Sequence, residues 1–205
     1  MAYLSRNFAP EGEELDRLLR RSSETNATVQ EQVADILSRV KAEGDRALYA
    51  LEKQFTKAEL VSLSVSEEEF AEAEKQVPAS LAKALAEAYQ NIRAFHMAQL
   101  PEGEKLTVSE GIELSRKIVP IQRVGLYVPA GSAPLISTAL MLGIPAQVAG
   151  CKDVLLCTPC DSLGKVHPAI LYAASMCGIS RIFKLGGAQA IAAMAHGTET
   201  VPKVY

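Results

Sequence analysis

The chain has 205 residues, of which 48% are hydrophobic, enough for a sizeable core. Its net charge of -3 and mixed signs give no reason to expect nucleic acid as a partner, which would call for a basic face. The start of the chain has no long apolar segment, and the apolar residues 137–151 are interrupted by Gly143, Pro145 and Gln147, so neither export nor membrane insertion is indicated. Four cysteines without a secretion signal indicate reduced thiols and a cytoplasmic protein.

Composition changes near residue 100 and predicts two parts. Of the 24 acidic residues 17 precede this point, whereas 11 of the 13 glycines follow it. We predict a mainly helical amino-terminal arm over residues 1–100. An α/β cofactor-binding domain is predicted over residues 101–205, truncated at its carboxyl end.

Helical periodicity dominates the first part. A helix is expected over residues 11–22, and Thr28 with Glu31 has capping-box spacing before a helix over residues 29–42. After a break at Gly44, a second apolar stripe is carried by Ala47, Leu48, Leu51 and Phe55.

Between residues 60 and 119 the sequence predicts a strand, a capped helix, a long helix and a hairpin. Residues 60–65 alternate and are predicted to form a strand, Ser66 and Glu69 repeat the capping-box spacing, and residues 81–97 predict a long helix. Glu67, Glu68 and Glu69 are acidic at a helix start, where the helix dipole alone explains them. Residues 105–109 and 112–119 flank Gly111 and predict a hairpin.

Three strand–helix units follow from residue 124. Predicted strands over residues 124–128, 154–157 and 182–185 precede predicted helices over residues 135–149, 168–177 and 188–195. This alternation predicts a parallel, Rossmann-like sheet in an α/β fold, with ligands bound at the carboxyl ends of its strands.

Two glycine-bearing loops occupy that position in the predicted sheet. Residues 129–132 follow the first strand and Gly186-Gly187 follow the third, but neither loop fits G-x-G-x-x-G or G-K-[ST], and glycine at such turns is common for steric reasons. Tyr127 ends the first strand, where it could contact a ligand or pack in the core. Gln189 begins the last helix, where it could face the same cleft or lie on the surface.

The cysteines and histidines offer weaker candidates. Cys157 and Cys160 form a C-x-x-C after a strand, which is either a redox dithiol or a pair of small buried side chains. No second C-x-x-C or H-x₃-H is present, so a closed structural zinc site is not supported. His96, His167 and His196 belong to no ligand motif.

Several segments taken together resemble histidinol dehydrogenases. These are residues 123–135 (RVGLYVPAGSAPL), 141–151 (MLGIPAQVAGC), 170–174 (ILYAA), 185–193 (LGGAQAIAA) and 201–204 (VPKV). The helical first part is also similar to the amino-terminal arm of that family, so the resemblance covers essentially the whole chain. Cys160 departs from the family, where the corresponding turn usually ends in proline, so the resemblance makes the C-x-x-C an accident of this sequence.

The resemblance implies a function. The family oxidises L-histidinol to L-histidine in two NAD-dependent hydride transfers, the last step of histidine biosynthesis, with a zinc ion that binds substrate. Its tyrosine and glutamine that contact the cofactor match Tyr127 and Gln189. The family forms homodimers, so a complete protein is expected to be a dimer.

The same resemblance implies that the reactive groups lie outside this chain. The family's zinc ligands and its glutamate–histidine acid–base pair belong to a later half, so we assign no catalytic and no metal residue here. We expect the chain alone to lack turnover, because the groups that hold and deprotonate the substrate are absent. The alternative is a non-catalytic binding module that assembles with a partner chain.

Overall fold

Helices make up most of the chain before residue 100. A computed structural model describes residues 9–19, 27–130 and 133–204. Within them the first helices are α1 (Gly12–Leu19), α2 (Ala27–Glu43), α3 (Asp45–Thr56), α4 (Glu67–Gln76) and α5 (Ala79–Met97). Residues 20–22 of the predicted first helix lie outside the described residues.

Of the two predicted capping boxes, one is confirmed. Ser66 Oγ accepts the Glu69 N–H at 3.3 Å, and the Glu69 carboxylate accepts the Ser66 N–H at 3.1 Å, which begins α4. The box at Thr28 is wrong, because α2 already includes Ala27 and therefore places Thr28 inside the helix.

The strand predicted over residues 60–65 is also wrong. The segment makes a single antiparallel bridge between Ser64 and Phe183, although Val65 N–H also donates to the Ile182 carbonyl at 2.9 Å. Ser62 Oγ accepts the Ser64 N–H at 3.1 Å, and such local side-chain bonds compete with a regular strand ladder.

The predicted hairpin is confirmed. Strand β1 (Glu104–Ser109) pairs antiparallel with β2 (Ile112–Arg116), and Gly111 adopts a φ of 80° in the turn between them. Both strands are exposed throughout.

The predicted parallel sheet is confirmed as well. Its strands β3 (Arg123–Tyr127), β4 (Asp153–Thr158) and β5 (Arg181–Lys184) pair in the order β3-β4-β5. The helices that follow them are α6 (Ile136–Val148), α7 (Pro168–Met176) and α8 (Gly187–His196). Every bound of these strands and helices lies within one residue of its prediction, and the fold class is α/β.

The central strand β4 divides the core into two parts. Side chains alternate across a strand, so Leu155 and Cys157 join one cluster with Leu48 of α3 and Ala193 of α8, whereas Leu156 joins the other. That second cluster includes Leu85 of α5, Ile144 of α6 and Ile170 of α7. Helices from before residue 100 therefore cover both faces of the sheet.

Contacts divide the chain into Met1–Asp35 and Ile36–Tyr205. In the first unit, α1 has no buried residue. The second unit contains the sheet with all helices from α3 onward. The boundary that composition predicts near residue 100 falls within this second unit, and it stays a prediction.

Candidate functional site

The carboxyl ends of β3 and β5 bring the two predicted ligand-contacting elements together. Tyr127 is the last residue of β3, and its half-buried side chain accepts, through the hydroxyl oxygen, a hydrogen bond of 2.9 Å from the Gly187 N–H. Gly187 opens α8 with a φ of 54°, in the left-handed region that favours glycine. One direct bond therefore joins the end of the first parallel strand to the loop after the third.

Gln189 lies in the first turn of α8 and is not a surface residue. Its side chain is only 2% exposed, and Nε2 donates a hydrogen bond of 2.9 Å to Glu52 Oε1. Its other amide atom, Oε1, faces Gly187, since a Cβ added to that glycine would lie 2.9 Å from this oxygen. The cleft interpretation of Gln189 stays a prediction, but the surface interpretation is wrong.

Glu52 of α3 completes this cluster, and sequence reasoning missed it. Its side chain is fully buried, and Oε1 accepts hydrogen bonds from the Gly186 N–H and from Gln189 Nε2, both at 2.9 Å. Burial raises the pKa of this carboxyl, against the opposing effect of the two donors. A signal was available, because Glu52 follows Leu48 by four residues on the apolar stripe.

A small cavity opens beside the start of α8. Its volume is about 240 Å³, below the usual range for a whole small-molecule site, so it fits part of a larger ligand. Its walls come from α2, α3, the loop after β4 and the start of α8: Ile36, Phe55, Thr56, Pro159, Gly186, Gly187, Ala188 and Gln189.

A larger cavity of about 510 Å³ also reaches Pro159 but includes neither Tyr127 nor Gln189. The two cavities therefore have different walls: Gln189 lines the smaller one, Ala130 of the loop after β3 lines the larger one, and Tyr127 lines neither. In the other glycine loop, Ala130 is bridged to Pro134, while Gly131 and Ser132 lie outside the described residues.

The family model for histidinol dehydrogenase matches residues 19–205 of the chain. The chain belongs to the histidinol dehydrogenase family. The histidinol dehydrogenase of Bacteroides fragilis (strain YCH46) is 52% identical over 196 residues, which cover 96% of this chain and 46% of that protein. The histidinol dehydrogenase of Xanthomonas euvesicatoria pv. vesicatoria is 51% identical over 185 residues, or 90% of this chain and 43% of that protein.

A solved relative shares the fold. The crystal structure of histidinol dehydrogenase from Elizabethkingia anophelis superimposes with a TM-score of 0.89 at 43% identity, covering 95% of this chain and 45% of that one. The resemblance to this family is therefore confirmed. The chain spans about half the length of the relatives it matches.

The cysteines of this histidinol dehydrogenase family member are poor candidates for redox chemistry. Burial, followed by the charge of Glu52, raises the pKa of the Cys157 thiol to about 12, and the same two effects raise the pKa of Cys160. The thiolate is the reactive form, so these environments oppose a redox dithiol. All four cysteines are free thiols.

The histidines show no ligand cluster. His167 caps α7, its Nδ1 accepting the Ala169 N–H at 3.3 Å. Across residues 9–19, 27–130 and 133–204, no group of three or more His, Cys, Asp or Glu could hold a metal ion.

In the same ranges no helix is long and apolar enough to cross a membrane.

Proposed function

We propose that this chain is the amino-terminal, cofactor-positioning portion of a cytoplasmic histidinol dehydrogenase. The complete protein oxidises L-histidinol to L-histidine in two NAD-dependent steps of histidine biosynthesis, and it works as a zinc-containing homodimer. The family membership supports this activity. The observation that supports the role of this chain is the hydrogen bond between Tyr127 and Gly187, because it brings two predicted cofactor-contacting elements into direct contact.

The start of α8 fits a phosphate-bearing cofactor. The first backbone N–H groups of a helix lack partners inside the helix and attract anions. At this helix the Gly186 and Gly187 N–H groups donate to Glu52 and Tyr127, so a ligand anion would bind the next N–H groups, those of Ala188 and Gln189. NAD, when bound, accepts the hydride. In our proposal Tyr127 forms one wall and Gln189 supplies a buried polar contact on the other.

The described residues do not fit the family's zinc site, because no cluster of possible ligands occurs among them. Binding and orientation of the cofactor are the tasks that we propose for the residues of this chain.

The test is a calorimetric NAD titration of the purified chain. Wild type should bind NAD, and Gln189→Ala should weaken NAD binding about two- to tenfold. This fold-change corresponds to the loss of one hydrogen bond, which contributes ~0.5–1.5 kcal/mol. Gln90→Ala, an exposed glutamine on α5, is the matched control and should bind as wild type does. Absence of NAD binding by wild type would refute the cofactor role, and equal binding by Gln189→Ala would remove that residue from the site.

Turnover is tested separately. We expect no NADH from histidinol with this chain alone, because the proposed acid–base and zinc groups belong to the other half of the family sequence. Detectable NADH formation by the pure chain would contradict that expectation.

A second candidate is a non-catalytic module that assembles with a partner chain. It is favoured by the hairpin β1–β2, where Leu106, Val108, Ile112 and Leu114 are each more than half exposed. The DNA downstream of the Tyr205 codon distinguishes the two candidates. The family resemblance implies a further cofactor contact, an asparagine in a Gly-Pro-Gly-Asn segment shortly after Val204. That segment in frame, followed by a histidine-rich remainder, supports a continuous enzyme, whereas a stop codon supports the module.

A further inference from the structure

Glu52 is the only fully buried acidic side chain among the described residues, and it bonds to the start of α8. It lies 134 residues before Gly186 and 137 before Gln189 in sequence, yet one of its oxygens, Oε1, bonds to both. The other oxygen, Oε2, is buried without a hydrogen-bond partner among the described residues. Native proteins rarely leave such atoms unpartnered, and those that do occur need an explanation.

The bond from Glu52 determines which way the Gln189 amide faces. Oε1 of Glu52 accepts a hydrogen bond from the Gly186 N–H, so this oxygen acts as an acceptor and bears no proton. It therefore requires a donor from Gln189, which places Nε2 toward Glu52 and Oε1 of Gln189 away from it. The oxygen then lies on the side of Gly187, whose backbone lines the same cavity as Gln189.

This orientation has a consequence for recognition. An amide that presents its carbonyl oxygen can only accept a hydrogen bond, whereas the flipped amide would donate one. The cleft therefore favours a ligand group that carries a hydroxyl or an N–H, such as a ribose hydroxyl, and disfavours a bare anionic oxygen at this point.

We propose that Glu52 is a positioning residue of the cofactor cleft: it holds the Gly186 N–H and the Gln189 amide so that Gln189 accepts a hydrogen bond from a ligand hydroxyl or N–H. This inference rests on the function proposed above. Burial of Glu52 costs stability, and positioning of Gln189 explains why the acid lies on an otherwise apolar stripe.

Three variants test the role. Glu52→Gln keeps a side-chain oxygen that can accept from both donors, Glu52→Leu removes it while keeping an apolar side chain of similar size, and Gln189→Ala removes the positioned group. We expect Glu52→Gln to bind NAD within twofold of wild type. Glu52→Leu should bind about two- to tenfold more weakly, as Gln189→Ala does, because both lose the same oriented acceptor.

The double variant Glu52→Leu/Gln189→Ala separates positioning from a general structural effect. If Glu52 acts through Gln189, the double variant binds no more weakly than either single variant. The inference is overturned if the losses of NAD affinity in the two single variants add fully in the double variant. It is also overturned if Glu52→Leu binds NAD as tightly as wild type while Gln189→Ala binds it more weakly. Thermal unfolding of each variant identifies a loss that comes from unfolding.

A ligand-free readout keeps this inference distinct from the proposed function. The side-chain amide signal of Gln189 in an ¹⁵N NMR spectrum is assigned by its absence in Gln189→Ala. We expect slow hydrogen exchange of this signal in wild type and Glu52→Gln, and a shifted, fast-exchanging signal in Glu52→Leu. An unchanged signal in Glu52→Leu overturns the positioning role. Absence of NAD binding by wild type overturns the cofactor assignment instead.

Discussion

Substituting Glu52 with glutamine should make the chain more stable at neutral pH. Burial raises the pKa of Glu52 above its ordinary value of 4.5, so the folded chain holds this proton more tightly than the unfolded chain does. The stability that this tighter proton binding gives the folded chain is fully present below pH 4.5 and is lost as the pH rises through the raised pKa of Glu52. Glutamine stays neutral, so Glu52→Gln avoids this loss.

The expected magnitude follows from the contacts of the two carboxyl oxygens. Oε1 has two donors and stays satisfied in the variant, whereas Oε2 has none. A buried polar atom without a partner costs ~1–3 kcal/mol, and more when it is charged. Glutamine never bears a charge there but leaves an unpartnered NH₂ in that place, so we expect a gain of about 1 kcal/mol at pH 7, the low end of this range.

Urea unfolding at a series of pH values from 4 to 8 measures this gain. The free energies of unfolding of wild type and Glu52→Gln should converge at pH 4 and diverge as the pH rises. Glu87→Gln, at an exposed glutamate of α5, is the control and should show a difference near zero throughout. A difference that is equal at pH 4 and pH 7, or a wild type that is more stable at pH 7, would refute the reasoning.

Three further predictions concern the sheet and the start of α8. Burial acts to raise the pKa of Asp153, but its bonds to two arginines at the amino ends of the strands lower the pKa overall. Asp153→Asn should therefore lower the free energy of unfolding, measured with urea, by about 0.5 kcal/mol at pH 7, and this loss should vanish as the pH falls below 3.8. Gly125→Ala should lower the unfolding free energy by ~1–3 kcal/mol in the same assay, because its Cβ would lie 2.5 Å from Met194 Sδ; an unchanged midpoint would contradict this packing. Gly187→Ala should weaken NAD binding in calorimetry at least as much as Gln189→Ala, because its Cβ would lie 2.9 Å from Gln189 Oε1 at a positive φ; unaltered affinity would exclude this loop from the cleft.

The repeating part of the fold could be predicted from the sequence because its signals are local. Each strand of the sheet is a short apolar run followed by a turn and a helical pattern, and the alternation alone implies parallel pairing. The rule that ligands bind at the carboxyl ends of strands predicts Tyr127 and the Gly186-Gly187 loop at the same edge of the sheet, and in the structure a hydrogen bond joins Tyr127 to Gly187. The strand predicted over residues 60–65 does not form, because Ser62 and Ser64 bond locally and periodicity does not register such bonds.

Glu52 shows why a candidate site is harder to predict than the sheet around it. Periodicity assigned Phe55 to the buried stripe of α3, yet Phe55 is 54% exposed and Glu52 is fully buried. Helical spacing allows either residue to face the core, and hydrophobicity alone favours the phenylalanine. Glu52 is buried in place of Phe55 because two donors more than 130 residues away, the Gly186 N–H and the Gln189 amide, together satisfy one carboxyl oxygen. A long-range partner of this kind leaves no local signal in sequence except the polar residue itself, so an acid on an apolar stripe is the feature to examine first.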